Sequence, residues 1–376
     1  MKDNKVDSTQ MALEVLAVIR KNKAKHNASE EGEEVLPKEK KEPRMTVEER
    51  FFSGQQKFVY GSNRKKFSEV FKWSPSTIPD IPVPQYTKEH WDSKVQSRIP
   101  EVNSAYYLHK STIEAIMYGV YCTGTLLFHG ATGTGKTSVA EQIAAHCGMP
   151  FFRVSCHGQM EVSDLLGSKS IVVQDGVSVT ASNDTDVTLA AKFGGMLCLD
   201  EVFRLPPECL MSLQSLFEYP HKLCLLDAHG TDTVVDVTLD DFNLVLTDNT
   251  TGNGSANGAY IANAQDQSTQ NRIRRAILID YLPQKEEYKI LASVYPDIPK
   301  SILRQMTKIA REVRSLFETG DLQHTFSIRE LLSWCESLMH LRDNMYAFRV
   351  AYYDKLEDSD KAPASDIFEQ EFGLPL

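Results

Sequence analysis

Five short apolar runs mark the middle of the chain: Thr125–Phe128, Phe151–Val154, Met196–Leu199, Phe242–Leu246 and Ala276–Ile279. None alternates strictly between apolar and polar positions, so each suits a strand covered on both faces. Stretches of helical spacing lie between several of them. Over about 85–283 that alternation predicts a parallel α/β sheet with helices on both sides. From about 284 the pattern becomes helical only. Ile302, Met306, Ile309, Val313 and Leu316 recur at helical spacing, and so do Ile328, Leu331, Leu332, Cys335 and Leu338. A small all-helical second domain follows from this.

The first 80 residues are patterned differently. Met11–Ile19 is apolar enough for a short helix. Ser29–Arg44 is dominated by Glu and Lys and carries two prolines. It buries too little apolar surface to offset chain entropy, which predicts a disordered linker. Phe51–Trp73 interleaves aromatic residues (Phe51, Phe52, Phe58, Tyr60, Phe67, Phe71, Trp73) with bases (Lys57, Arg64, Lys65, Lys66, Lys72). That mixture fits single-stranded nucleic acid or a partner protein. The plainer reading is an extension packed on its own core or on a neighbouring subunit. The expected organisation is an N-terminal extension over 1–80, an α/β core over 81–283, and a helical lid with its tail over 284–376.

Between the first apolar run and the next helical stretch stands Gly130-Ala131-Thr132-Gly133-Thr134-Gly135-Lys136-Thr137, a G-x-x-x-x-G-K-[ST] string in its strand–loop–helix context. Glycines let the backbone turn its N–H groups around phosphate oxygens, and the helix start at Lys136, Thr137 and Ser138 adds a partial positive charge. Lys136 is placed to reach the β- and γ-phosphates of ATP, and the Thr137 hydroxyl to hold Mg²⁺. Gly130 through Ser138 are thus the candidate nucleotide-binding residues.

The run Met196–Leu199 ends in Asp200-Glu201. A buried strand would deliver both carboxylates to the carboxyl edge of the sheet, where ligands bind in open α/β folds. Asp200 then suits Mg²⁺, mostly through water. Glu201 suits polarisation of the water that attacks the γ-phosphate. The run Phe242–Leu246 leads into Thr247-Asp248-Asn249-Thr250. There Asn249 is either a turn residue or the side chain that orients that water. Arginines supply the remaining charge for a transferring phosphoryl group. The candidates are Arg272, Arg274 and Arg275 before the last strand and Arg329 in the helical domain, and composition does not choose among them.

The whole chain has 376 residues and a formal net charge of −10, which disfavours nucleic acid as the main partner. Its seven cysteines are scattered, without C-x-x-C spacing, which fits a reducing compartment. No apolar run approaches the roughly 20 residues of a membrane span. A soluble, cytoplasmic protein is expected.

Taken together, these strings resemble the AAA+ ATPases of the MoxR type, nearest to the ATPase subunits of aerobic cobaltochelatases and their bacteriophage relatives. The resemblance covers about 80–340. It rests on Gly130–Thr137, Asp164-Leu165-Leu166-Gly167 leading into Ile171–Gly176, Asp200–Pro207, Leu225-Leu226-Asp227, Thr247–Thr250 with Gly252, Gly254 and Tyr260, Asp280–Pro283, and Ser327-Ile328-Arg329 followed by Trp334. It implies a five-stranded parallel AAA+ phosphate-loop core with a helical lid. It matches Asn249 to the sensor 1 residue, Arg329 to sensor 2, and Arg272 to an arginine finger that reaches the nucleotide of the next subunit. The family usually reads Asp-Arg-Phe or Asp-Arg-Trp at the finger, where this chain has Asn271-Arg272-Ile273. Lys169–Thr180 resembles the family's pore-facing helix 2 insert and Leu223–Val237 its pre-sensor 1 hairpin; each reads equally as a plain two-stranded ribbon. Thr251–Gly258, rich in Gly, Asn, Thr and Ser, is expected to be a mobile loop.

A finger acting in trans requires head-to-tail contacts whose rotation closes. The resemblance implies a homo-hexamer, and a partner protein carrying a von Willebrand factor A domain. The function it implies is an ATP-hydrolysing motor or remodelling chaperone, with the ATPase subunit of a cobaltochelatase-like complex as the narrower version. An ATP-dependent assembly platform and a nucleic-acid motor remain as alternatives.

Overall fold

In the computed structural model the described residues are 63–376, apart from 105, 123, 175–176, 219, 227–231, 238–240 and 253–266. The expected helix at Met11–Ile19, the linker Ser29–Arg44 and all but the first two residues of Thr251–Gly258 lie outside them.

The described chain opens with two antiparallel strands, β1 (Arg64–Lys66) and β2 (Pro82–Pro84), around the short helix α1 (Phe67–Phe71). Phe67 and Phe71 are buried in the main core, with the Trp73 ring 5.5 and 5.4 Å from theirs, while Lys65, Lys66 and Lys72 stay in water. These three aromatics serve packing on the chain's own core, while Phe51, Phe52, Phe58 and Tyr60 of the same stretch lie outside the described residues. Behind them runs α2 (Lys110–Tyr121). Its Glu114, only 1% exposed, accepts the Ser76 and Thr77 backbone N–H groups at 3.1 and 2.7 Å and the Thr77 hydroxyl at 2.5 Å. Burial alone would raise its pKa, but those hydrogen bonds outweigh burial and hold it below 4.5. A folded-state pKa below the unfolded one gives stability that is complete above the unfolded value and is lost as pH falls through the folded value. Glu114→Gln is therefore expected to cost about 1.5–3 kcal/mol at neutral pH. Denaturant melts should show wild type falling toward the variant on acidification. A constant gap down to acid pH would contradict this.

The core continues through β3 (Leu126–His129), α3 (Lys136–Cys147), β4 (Phe151–Ser155), α4 (Val162–Leu166), the antiparallel ribbon β5–β6 (Ser168–Gln174 and Val177–Asn183) and α5 (Asp186–Phe193). After these come β7 (Gly195–Asp200), α6 (Pro207–Ser212), α7 (Gln214–Phe217), a second antiparallel ribbon β8–β9 (Lys222–Leu226 and Asp232–Asp236), β10 (Phe242–Asp248), α8 (Gln267–Arg272) and β11 (Arg275–Leu278). The five expected runs are the five strands of one parallel sheet, in the order β11–β3–β10–β7–β4. Every residue of β7 is buried, which explains the missing alternation in its sequence. The register sets Thr247 opposite both Asp200 and Phe128, Asp248 opposite His129, and Ser155 opposite Asp200. Four strands thus end level at one edge.

The lid comprises α9 (Gln284–Val294), α10 (Lys300–Thr319), α11 (Ile328–Leu341), α12 (Asn344–Ala351) and α13 (Asp358–Phe372). Its core closes on Trp334, with Phe348 at 4.8 Å and Phe326 and Phe368 at 6.2 Å. One ion pair is buried there. Arg314 donates to Glu287 at 2.8 and 3.0 Å and to the Phe326 carbonyl at 2.6 Å, and its guanidinium lies 4.1 Å over the Tyr281 ring.

Candidate functional site

The loop after β3 makes the cradle that its glycines foreshadow. Gly130 has φ +148°, and a Cβ there would fall 2.2 Å from the Ile279 carbonyl oxygen. Gly133 has φ +76°, and a Cβ there would meet the Ser327 Cβ at 2.2 Å. Side chains at either position would be strained and would collide with these neighbours. The loop ends at Gly135, which caps α3 without any side-chain hydrogen bond. The first N–H groups of a twelve-residue helix are thereby left for another acceptor.

Lys136 is buried, and its Nζ donates to the Gly130 and Ala131 carbonyls at 2.9 and 2.8 Å and to Asn249 Oδ1 at 2.9 Å. Burial pushes its pKa down to about 8, against the opposing pull of Asp200, Asp248 and Glu201. An amine so held is a cation with little water around it, suited to a multiply charged anion. Thr134 Oγ1 folds back on the Ala131 carbonyl at 3.0 Å and helps shape the loop.

Asp200 ends β7 beside this loop. Its Oδ1 accepts the Thr137 hydroxyl at 2.8 Å and the Thr247 hydroxyl in a short contact. Its Oδ2 accepts Nε and Nη2 of Arg153 at 3.0 and 2.5 Å. Burial would raise the Asp200 pKa, yet the hydrogen bonds from Thr247, Thr137 and Arg153 keep it lowered. Glu201 follows in the left-handed region, at φ 59°, a conformation that costs a non-glycine residue roughly 1–3 kcal/mol and recurs at functional sites. Its N–H donates to Thr247 Oγ1 at 3.3 Å, and its carboxylate meets Arg204 at 3.0 Å with both side chains about half exposed. The turn throws Glu201 past the sheet edge toward solvent while Asp200 stays inside.

The end of β10 is held by the buried Asp248. Its carboxylate accepts the Phe203 N–H at 3.2 Å, the Thr250 N–H at 2.9 Å and the Thr250 hydroxyl at 3.0 Å. That lock aims Asn249 at Lys136. Thr137, Lys136, Asp200, Glu201 and Asn249 therefore meet at one place.

The segment before the lid and the lid itself reach the same place. Tyr281 donates its hydroxyl proton to the Thr132 carbonyl at 2.9 Å or shares it with Thr325 Oγ1 at the same distance. Ser327 caps α11 against the Gly133 position, with its Oγ accepting the Arg329 N–H at 3.1 Å. The exposed Arg329 is near enough for its charge to lower the Lys136 pKa. Arg272 is elsewhere. Its guanidinium donates to Glu218 at 2.5 Å and to the Ser268 carbonyl at 2.7 Å, and none of its hydrogen bonds among the described residues goes to the phosphate loop.

Four residues here have no role in the sequence reading: Arg153, Thr247, Asp248 and Tyr281. Thr247 and Asp248 stand inside the string Thr247–Thr250, in which the sequence assigns a role to Asn249 alone, and Tyr281 stands inside Asp280–Pro283. No local signal marks Arg153.

This donor set fits a nucleoside triphosphate and a hard divalent cation: uncapped helix N–H groups and a buried amine for phosphates, and a hydroxyl with a carboxylate for Mg²⁺. Among the described residues no cluster of three or more His, Cys, Asp and Glu is arranged to hold a metal by itself. No described helix is long and apolar enough to cross a membrane.

Several known proteins and family models are similar to this chain. A family model of the AAA domain (dynein-related subfamily) matches residues 125–270, and a model of the CbbQ/NirQ/NorQ C-terminal domain matches 287–365. The chain is 29% identical over 302 residues to the aerobic cobaltochelatase subunit CobS of a Sinorhizobium species, covering 79% of this chain and 88% of that protein. It is 26% identical over 245 residues to an uncharacterised protein of Staphylococcus haemolyticus, covering 64% of this chain and 87% of that one. The RuvB Holliday junction branch migration motor of Thermotoga maritima superposes with a TM-score of 0.41 at 15% identity, over 70% of this chain and 74% of that one. The two family models together span more than half of the sequence, one on the α/β core and one on the lid, and the chain accordingly belongs to the AAA+ ATPases of the MoxR type.

Proposed function

We propose that the protein binds ATP with Mg²⁺ and hydrolyses it between adjacent copies of itself, using the cycle to remodel a partner protein. The observation that carries this reading is the meeting of Lys136, Thr137, Asp200, Glu201 and Asn249 beside the uncapped start of α3. Gly130–Ser138 wrap the phosphates, and Lys136 exchanges its loop carbonyls for β- and γ-phosphate oxygens. Thr137 and Asp200 are the residues that would hold Mg²⁺, which when bound neutralises charge on the β- and γ-phosphates. Glu201 accepts the proton of the attacking water, while Asn249 orients that water. ADP and inorganic phosphate leave. Arg329 and Tyr281 carry the state of the loop to the lid.

Arg272 makes its hydrogen bonds to Glu218 and the Ser268 carbonyl and none among the described residues to its own loop, which supports a role at a neighbour's nucleotide. Closed rings satisfy that need, and a homo-hexamer is the arrangement we infer. The antiparallel ribbons β5–β6 and β8–β9 are the elements we assign to partner contact. Similarity to the cobaltochelatase subunit over 79% of the chain supports a partner complex of that kind, in which cobalt would be cargo rather than a resident cofactor. A partner with a von Willebrand factor A domain and a cytoplasmic location belong to the same proposal.

Fluorescent-ATP titration tests the nucleotide site. Lys136→Ala removes a charge-assisted partner of two phosphates and is expected to weaken binding by about 100-fold. Unchanged affinity would overturn the assignment. Light scattering on the same samples reads assembly: a multiple of the protomer mass with ATP supports the ring, and a persistent monomer overturns it.

A further inference from the structure

Asp200 has a counter-charge that the proposed chemistry does not use. Its carboxylate is nearly enclosed, 12% exposed at the side chain. An isolated anion there would be costly. Hydroxyls of Thr137 and Thr247 take one oxygen. The Lys136 amine is spent on Gly130, Ala131 and Asn249. Full positive charge reaches the other oxygen from Arg153 alone among the described residues, through two hydrogen bonds. Arg153 comes from β4, the edge strand, and its side chain is 53% exposed. Its guanidinium can therefore exchange Asp200 for water at little desolvation cost, which a buried arginine could not do.

We infer that Arg153 stands in for the divalent cation at Asp200 until Mg²⁺ enters with the nucleotide, and that it thereby sets how much Mg²⁺ the site demands. The inference rests on the reading of Asp200 as a Mg²⁺ ligand. It makes Arg153 a positioning residue with two opposite effects. With Mg²⁺ scarce, Arg153 neutralises Asp200, so the carboxylate does not repel an incoming triphosphate. With Mg²⁺ present, the guanidinium and the cation compete for the same oxygen, so the metal fills the site only once phosphate charge is there to outweigh the competition. A metal ion entering ahead of nucleotide would face Arg153 and Lys136 together.

Equilibrium binding of a fluorescent ATP, titrated first in EDTA and then with rising Mg²⁺, separates the two effects. Arg153→Ala is expected to bind nucleotide about fivefold more weakly in EDTA yet to need about fivefold less Mg²⁺ at half-saturation, magnitudes suited to a half-exposed charge pair. Arg153→Lys, which keeps the charge, should return both values toward wild type. An ion pair with a purely structural role would weaken binding equally at every Mg²⁺ concentration. An Arg153→Ala midpoint equal to or above that of wild type overturns the inference alone. Failure of the wild-type protein to bind nucleotide in any condition overturns the ATPase reading and this inference with it.

Discussion

Glu201→Gln is expected to leave ATP bound and to slow its hydrolysis by about 10³-fold, within the range supplied by a positioned general base. The side chains have the same shape, so Gln can keep the contact with Arg204 and the left-handed turn at φ 59°. What is lost is the negative charge and, with it, the capacity to take a proton. Asp200, Thr137 and Lys136 are untouched, so nucleotide affinity should hold within a few-fold. Phosphate release measured beside fluorescent-ATP titration gives both quantities. Turnover within tenfold of wild type would remove Glu201 from the base role. The variant also separates two kinds of function: a motor loses its effect on the partner with turnover, whereas an ATP-dependent platform retains it, because the bound state persists.

Much of this architecture could be read from the chain because burial leaves a local trace. β7 and β10 are covered on both faces, so their sequences are plain apolar runs, and the polar residues that end them are the ones the edge presents. The phosphate loop was legible because φ values such as +148° at Gly130 and +76° at Gly133 admit little but glycine. What stayed hidden depends on pairing across the fold. The insertion of β10 between β3 and β7 leaves no mark on any one strand. It is nevertheless the reason Thr247 can bridge Asp200 and the Glu201 N–H. Arg153 is one exposed base on an edge strand, and its partner lies 47 positions away. Around Phe67–Trp73 the composition was ambiguous because helix α1 sorts it, aromatics inward and lysines outward. The roles of Asn249, Arg272 and Arg329 came from resemblance rather than from pattern. Geometry adds the Lys136 contact for Asn249 and the Lys136 proximity for Arg329. For Arg272 it adds a location beside Glu218 and the Ser268 carbonyl.

That location makes Arg272→Ala the sharper test of assembly. If the guanidinium serves the neighbouring nucleotide, its loss spares ATP binding and lowers hydrolysis by about 10³-fold, the lower end of what arginine fingers supply. In the single chain Arg272 pairs with Glu218, whose side chain is 54% exposed, so the pair lies at a surface and adds little to stability. A melting temperature near that of wild type should accompany the loss. Subunit mixing then tests whether the action is in trans. In a ring assembled from equal parts Arg272→Ala and Glu201→Gln, about one interface in four joins an intact Glu201 to an intact Arg272 from the neighbour. Neither variant alone offers such an interface, so mixing two inactive preparations should restore turnover well above their sum. No recovery, in mixtures shown by light scattering to contain both subunits in one assembly, would mean that Arg272 does not act across the interface. The charge opposite the γ-phosphate would then have to come from within the chain, where Arg329 is an arginine whose charge is felt at Lys136.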